Sequence, residues 1–358
     1  VSQRSLTVEV KNPTGTQRQQ VVELCAADIF KRLGISGGRQ FMVKNSIGNE
    51  IPSQLTHDGK ILVEIAVAPS SSATITIATG LPKSYVNTCY GRMYPERVDD
   101  IAWENDRGAY RCYGPALQAS GEQAFGNDVW VKNTPDLVVE SRYHNELVNK
   151  LSYHVDRGYG LDCYKVGPTL GCGTPAIIEG DNIRFPYCWT AYEILDNGPL
   201  RFTVRLDYGA NGEHRIMSLD KGSNFNKMTV WYDAITTPVD VASGVVIHTE
   251  DTESVVLGKD YVQYADPTDN PKAQNFQIYV AAIFPDGVDA TRKVMYQNPV
   301  RGNAGHALGI KKGLQPNEKF TYYFGSSWSK YDCRNQKEWQ MRIDNFKLAL
   351  AQPLEIIL

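Results

Sequence analysis

The sequence predicts an all-β protein, a small N-terminal β-sandwich over residues 1–84 followed by a large antiparallel β-sandwich unit over residues 85–358 with a short C-terminal helix. Three observations predict it. Short apolar runs alternate with period two, as strands with one buried face must. Gly, Asn, Asp and Pro turns separate those runs at intervals of about ten residues. Only one stretch, near the C-terminus, repeats apolar residues at helical spacing. At 358 residues the chain also exceeds a usual single core, so one unit of roughly 250 residues plus a small one is expected.

The elements follow in order. "LTVEV", "VVELC", "QFMVK", "SIGNEIP", "KILVEIAV" and "ATITIATG" read as strands of the first unit, with Ile75 and Ile77 on one face of the last. "CAADIFKRLG" predicts one or two helical turns ending near Gly34. Gly and Pro interrupt the pattern in "TGLPKSY", Thr79 to Tyr85, which sets the boundary. In "LRFTVRLDY", Phe202, Val204 and Leu206 share one face and Arg201, Thr203 and Arg205 the other. "HRIMSLDKG", "KMTVWYDA", "SGVVIHTE", "DYVQYAD", "NFQIYVAAIF", "KVMYQN", "HALGIKKGL" and "KFTYYFGSSW" continue the strand series. From Cys333 onward, Trp339, Ile343, Phe346 and Leu350 recur three or four residues apart until Pro353 halts the helix.

Bulk properties exclude several functions. A net charge of −3 with scattered Lys and Arg leaves no footprint for nucleic acid or an anionic membrane surface. No apolar run reaches the roughly 18–20 residues that span a bilayer. The start at Val1, without a signal core, reads as a mature form whose leader has been removed. Seven cysteines leave at least one unpaired and form no C-x-x-C or zinc spacing; they read as buried small hydrophobes with at most one bridge. Cys163 and Cys172 flank a polar stretch, so a catalytic thiol is the second option there. Signatures of ester hydrolases, NTPases, zinc proteases and calcium loops are absent, and "VGPTLGCGTP" is a Gly-rich loop in a β context. No spacing calls for a metal or a cofactor.

Two stretches concentrate titratable groups. "PERVDDIAWENDRGAYRCYGPAL" spans Pro95 to Leu117, and "YHVDRGYGLDCYKVG" spans Tyr153 to Gly167. If the first runs extended, Trp103, Asn105 and Arg107 share one face while Glu104 and Asp106 point to the other, two carboxylates within reach of one ligand. The same "ENDR" also reads as a turn whose side chains cap backbone groups. Trp103, Tyr110 and Tyr113 lie beside these polar groups, and a flat apolar face next to planar polar groups suits a sugar. In the second stretch His154 and Asp156 share a strand face, as do Asp162 and Tyr164, with Gly158 and Gly160 permitting a turn between. A histidine held in one tautomer by a carboxylate serves as general base or acid. The candidate catalytic residues are therefore His154, Glu104, Asp106, Arg107 and Tyr164. The candidate binding residues are Trp103, Asn105, Arg111, Tyr113, Trp130, Lys132, Asp156, Asp162 and Lys165, with Asp128, Tyr143 and His144 behind them.

On "FMVKNSIGNEIPSQLTHDGKILVEIAV", "YGRMYPERVDDIAWENDRGAYRCYGPAL", "DVWVK", "YHVDRGYGLDCYKVGPTLGCG", "NGPLRFTVRLDY" and "FGSSW", the chain resembles an uncharacterised domain family of Bacteroidetes polysaccharide-utilisation gene clusters. That family is similar to the galactose-mutarotase-like β-supersandwich group, which contains epimerases, glycoside hydrolases and polysaccharide lyases. The resemblance implies a β-supersandwich for the large unit and the periplasm or cell surface of a Gram-negative bacterium. It does not deliver a reaction, since fold fixes no chemistry.

The expected partner is an oligo- or polysaccharide. Elimination from a uronic-acid glycan needs a cation or donor on the carboxylate, for which Arg107, Asn105 or Lys165 serve, and a base such as His154 or Tyr164. Hydrolysis needs two carboxyl groups flanking the glycosidic oxygen, drawn from Glu104, Asp106, Asp156 and Asp162. A sugar epimerase would pair His154 with Glu104 across the anomeric carbon, and a noncatalytic glycan-binding protein would hold the saccharide with the same groups.

Overall fold

The computed structural model describes residues 3–37, 40–273 and 275–358. Strands dominate it, as the period-two pattern requires. In the leading unit, five strands lie in the order Glu355–Ile357, Ser5–Lys11, Ser72–Thr79, Phe41–Lys44, Glu50–Ile51, and a second sheet is built from Arg18–Cys25, Lys60–Val67 and Ser53–Leu55. The alternating residues of both sheets, among them Val8, Val10, Ile75 and Ile77 from one and Val22, Leu24, Ile61 and Val63 from the other, form one core of their own. The helix Ala26–Leu33 closes one end and stops at Gly34, whose φ of 66° is the left-handed conformation a C-terminal glycine permits. The strand Glu355–Ile357 pairs with Ser5–Lys11, Glu9 opposite Ile357, so residues from the far end of the chain complete the first sheet.

The large unit rests on an antiparallel eight-stranded sheet that runs from Ala191–Asn197 at one edge through Phe225–Tyr232 and Phe320–Trp328 to Val256–Leu257 at the other. Phe202, Val204 and Leu206 point into its core at 0% exposure, the face the alternation assigns them. Two five-stranded sheets cover that core. One carries Val239–His248 and Asn303–Leu314 at its centre. The other has the order Gly160–Leu161, Asp128–Lys132, Ala109–Cys112, Asp100–Glu104, Tyr90–Tyr94. The two units are joined by Gln54, whose side chain donates to Arg201 O at 2.9 Å and accepts from Leu200 N and Arg201 N at 2.8 Å.

The C-terminal helix spans Gln336–Ala351 and buries Trp339 and Ile343 against the outer face of the eight-stranded sheet. Asn335 caps it by accepting from Glu338 N at 2.9 Å. Two helices are present that strand-and-turn reading does not predict, Pro115–Ala119 and Val139–Leu147. The second has no side-chain cap of its own; the cap arrives from Glu104, far away in sequence. Among the described residues no helix is long and apolar enough to cross a membrane.

Candidate functional site

The sheet containing Asp100–Glu104, Ala109–Cys112 and Asp128–Lys132 has two unlike faces. Ile101, Trp103, Tyr110, Cys112, Val129 and Val131 face the core. Pairing of Arg111 with Ala102 and Asp128, and of Ala109 with Glu104 and Trp130, sets the other residues on the outer face. The helix Val139–Leu147 and the loop after it roof this polar face, so Asp100, Glu104, Asp128 and Lys132 are all 1% exposed or less.

The two titratable stretches meet here. Arg111 donates from Nε to Asp128 Oδ2 at 2.5 Å and from Nη2 to Asp162 Oδ2 at 2.7 Å, and its Nη1 stands 3.6 Å from Asp100 Oδ2. Its guanidinium lies over the rings of Trp130 and Tyr153 at 5.0 and 5.6 Å. One cation thus faces three buried carboxyl groups. Burial pushes Asp128 up to about 7, with Asp162 adding to the rise, and Asp100 and Asp162 up to about 6 each. The Arg111 guanidinium occupies the middle of these acids, and no group of three or more His, Cys, Asp or Glu side chains suited to a metal occurs among the described residues.

His154 caps this cluster at the surface. Its Nδ1 is 3.0 Å from the Asp162 carbonyl oxygen and 3.7 Å from Asp162 Oδ2, and its side chain is 52% exposed. A carbonyl can only accept, so Nδ1 carries the hydrogen. The Tyr153 ring packs against the imidazole, 4.7 Å away between ring centres and tilted by 46°. Asp269 lies alongside, its carboxyl raised by burial and lowered in turn by His154.

The other nominated residues divide sharply. Trp103, Tyr110 and Trp130 are each 2% exposed or less, which corrects the reading of Trp103 and Tyr110 as sugar platforms and of Trp130 as a binding residue: Trp103 stacks between Tyr110 and Phe202, and donates to Asn226 Oδ1 at 2.8 Å. Glu104 is no acid or base, because it accepts from Lys132 Nζ at 2.7 Å and from Val138 N and Val139 N at 2.9 and 2.8 Å. Lys132 is spent in the same bond and in one to Asn105 O at 2.6 Å. The strand ends at Glu104, so "ENDR" is the turn and not the extended pair. Asn105 Oδ1 accepts from Arg107 N and Gly108 N at 2.9 and 3.1 Å, and Asp106 accepts from Gly222 N at 2.7 Å. Asp156 bonds Lys330 at 2.6 Å and caps Gly158 N and Gly160 N. Lys165 donates to the Arg301 carbonyl. Tyr164 cannot be a base: burial at 5% exposure holds its phenol well above the usual range. Burial likewise holds the Cys163 thiol far up, and all seven cysteines are free. Tyr143 braces Asp100 at 3.1 Å, and His144 lies on the roofing helix. Tyr113, half-buried, lies beside Arg111 at 5.3 Å.

Sequence reading missed Tyr153, Arg97 and Asp100 as members of this cluster, although Asp100 and Arg97 stand inside the first quoted stretch. Arg97 Nε donates to Tyr153 Oη at 3.2 Å. It also missed two clefts. One, of about 680 Å³, lies between the leading unit and the outer face of the eight-stranded sheet and is reached by Arg107; the other, of about 370 Å³, is lined by Phe185, Tyr187, Tyr208 and Glu213. His154 lines neither.

The family model described as a domain of unknown function, DUF4861, matches residues 10–356. The Uncharacterized protein P7 of Formosa agariphila is 28% identical over 287 residues, 75% of this chain and 69% of that protein. A solved protein in the glycosyl hydrolase family 38 from Enterococcus faecalis overlays with a TM-score of 0.52 at 9% identity, covering 99% of this chain and 47% of that one. An alpha-mannosidase from Enterococcus faecalis V583 gives 0.44 at 9% identity, covering 99% and 46%. The chain therefore spans about half the length of the solved structures it matches, and the first overlay speaks to the fold.

Proposed function

The chain belongs to the DUF4861 family, and from that premise we propose that it is a carbohydrate-active enzyme of glycan degradation that cleaves a uronic-acid-containing glycan by elimination. One observation carries the proposal. His154 is half-exposed, donates from Nδ1 to the Asp162 carbonyl at 3.0 Å, and leaves Nε2 without a hydrogen-bond partner among the described residues. The fold it shares with a protein in glycosyl hydrolase family 38 supports the carbohydrate reading. In the reaction His154 Nε2 takes the proton from C5 of a uronate. The electron pair forms the C4–C5 double bond as the C4–O bond breaks, and the proton passes to the departing oxygen. Glu104, Asp106, Asp156 and Asp162 are each engaged elsewhere and supply hydrolysis with no free pair, whereas elimination keeps its base; of its carboxylate-neutralising candidates Asn105 and Lys165 are engaged too, which leaves Arg107. The epimerase reading loses its second group with Glu104.

His154→Ala is expected to lower turnover of a responsive uronate polysaccharide by roughly 10²–10⁴-fold, the usual worth of a positioned base, while leaving the melting temperature nearly unchanged. Ultraviolet absorbance of the unsaturated product reads elimination. New reducing ends without that absorbance, or full turnover by the variant, would defeat the proposal. A noncatalytic glycan-binding protein is the second reading, favoured by one fact: His154 lines neither of the two clefts. The working location is the periplasm or cell surface, which cell fractionation with an antibody checks; recovery in the cytoplasmic fraction would overturn it.

A further inference from the structure

We propose that the 680 Å³ cleft between the two units is a binding site for an acidic glycan chain, bearing carboxylate or sulfate groups. Its volume falls within the roughly 300–1,000 Å³ of ligand sites. One wall is the strand Arg18–Cys25, the other the helix Gln336–Ala351, and Tyr323 and Phe346 offer half-buried aromatic surface between them.

The charge on these walls is not balanced. Arg201 is neutralised by Asp220 at 2.6 Å and Glu23 at 3.0 Å, and Lys221 pairs with Glu64 at 3.0 Å. Among the described residues Arg18 meets only neutral acceptors, Gln20 Oε1, Gln352 O and Ala349 O. Lys227 is exposed and has no ion-pair partner among the described residues. Arg107 and Arg342 share the single carboxylate of Asp332, at 3.9 and 3.5 Å. The Arg107 Nε is buried with no hydrogen-bond partner among the described residues. A guanidinium so poorly satisfied, among uncompensated cations and beside an apolar surface, recognises planar anions spaced along a sugar chain. Continuity points the same way. The segment Ser329–Asp332 separates the cleft from the His154 loop, with Lys330 bonding Asp156 and Asp332 facing Arg107.

The ligand class rests on the glycan reading above, whereas the cation-lined cleft does not. Calorimetric binding to the full chain is measured with an oligogalacturonate, dextran sulfate, a neutral manno-oligosaccharide and single-stranded DNA. One or both anionic glycans should bind, more weakly as salt is raised, and the neutral glycan should not. Lys227→Gln and Arg107→Gln should each weaken that binding roughly tenfold, and His154→Ala should leave it intact. The exposed position of Lys227 makes its variant a test free of folding effects. Equal binding of the neutral glycan, DNA binding as tight as the acidic glycans, or affinity indifferent to both cleft variants would overturn the proposal. If cleft binding behaves as stated while His154→Ala retains turnover, the elimination reading fails and this site stands.

Discussion

Arg111 holds three acids together without matching their charge, and the consequence is a pH dependence opposite to that of most carboxylates. An unfolded aspartate loses its proton near pH 4, whereas burial, with Asp162 beside it, holds the Asp128 proton to well above that. Between the two the folded state binds more protons, so this group's contribution to stability falls as pH rises above about 4. His306 runs against it. Burial drops its imidazole to about 3, so its contribution is complete above the unfolded histidine range and is lost as pH falls toward 3. Asp128→Asn separates the two effects. The melting temperature of the variant relative to the parent should rise between pH 5 and pH 8, measured by calorimetry; a difference flat in pH would show that Asp128 is ionised throughout. Residues of this kind explain what the sequence disclosed at this scale. The meeting of the two stretches was legible in their composition, since Arg111 does bond Asp162. Which of their side chains face solvent was not, because the roof that seals Glu104, Lys132 and Trp130 is an element with no signal in those stretches.

That roof, the helix Val139–Leu147, shows why elements differ in legibility. Strands such as Arg201–Asp207 announce themselves because two-residue alternation is a property of the segment alone. The helix Gln336–Ala351 does so through Trp339 and Ile343 and through its own cap, Asn335. Asn335→Ala should therefore cost about 1 kcal/mol in urea unfolding, and no measurable loss would mean another group satisfies the Glu338 amide. The helix Val139–Leu147 borrows its cap from Glu104, a residue on a strand formed earlier in the chain. Its start signal is tertiary, so no window of local sequence contains it. The carboxylate that looked catalytic is in fact what begins this helix.

For the whole molecule, the sandwich cores follow from patterns each segment carries, but the route of the chain does not. Pairing of Glu355–Ile357 with Ser5–Lys11 joins residues almost the full sequence apart, and nothing local encodes it. Leu354, 8% exposed in the leading unit's core, adds apolar burial to that ladder. Deleting residues 353–358 should destabilise the leading unit by on the order of 3 kcal/mol, from one buried leucine and the lost ladder bonds. Amide exchange resolves the effect by region: protection should drop in Ser5–Lys11 and stay unchanged in Phe225–Tyr232, and uniform loss would show one cooperative block instead.

The same pairing dictates an order of events during synthesis. The strand Ser5–Lys11 leaves the ribosome unpaired; Ser72–Thr79 covers one edge, but the partner of the other is made only after some 340 intervening residues. Throughout that interval the nascent chain carries an open β-edge able to recruit a foreign strand. A cell making this protein has reason to keep that edge shielded until residue 357 arrives.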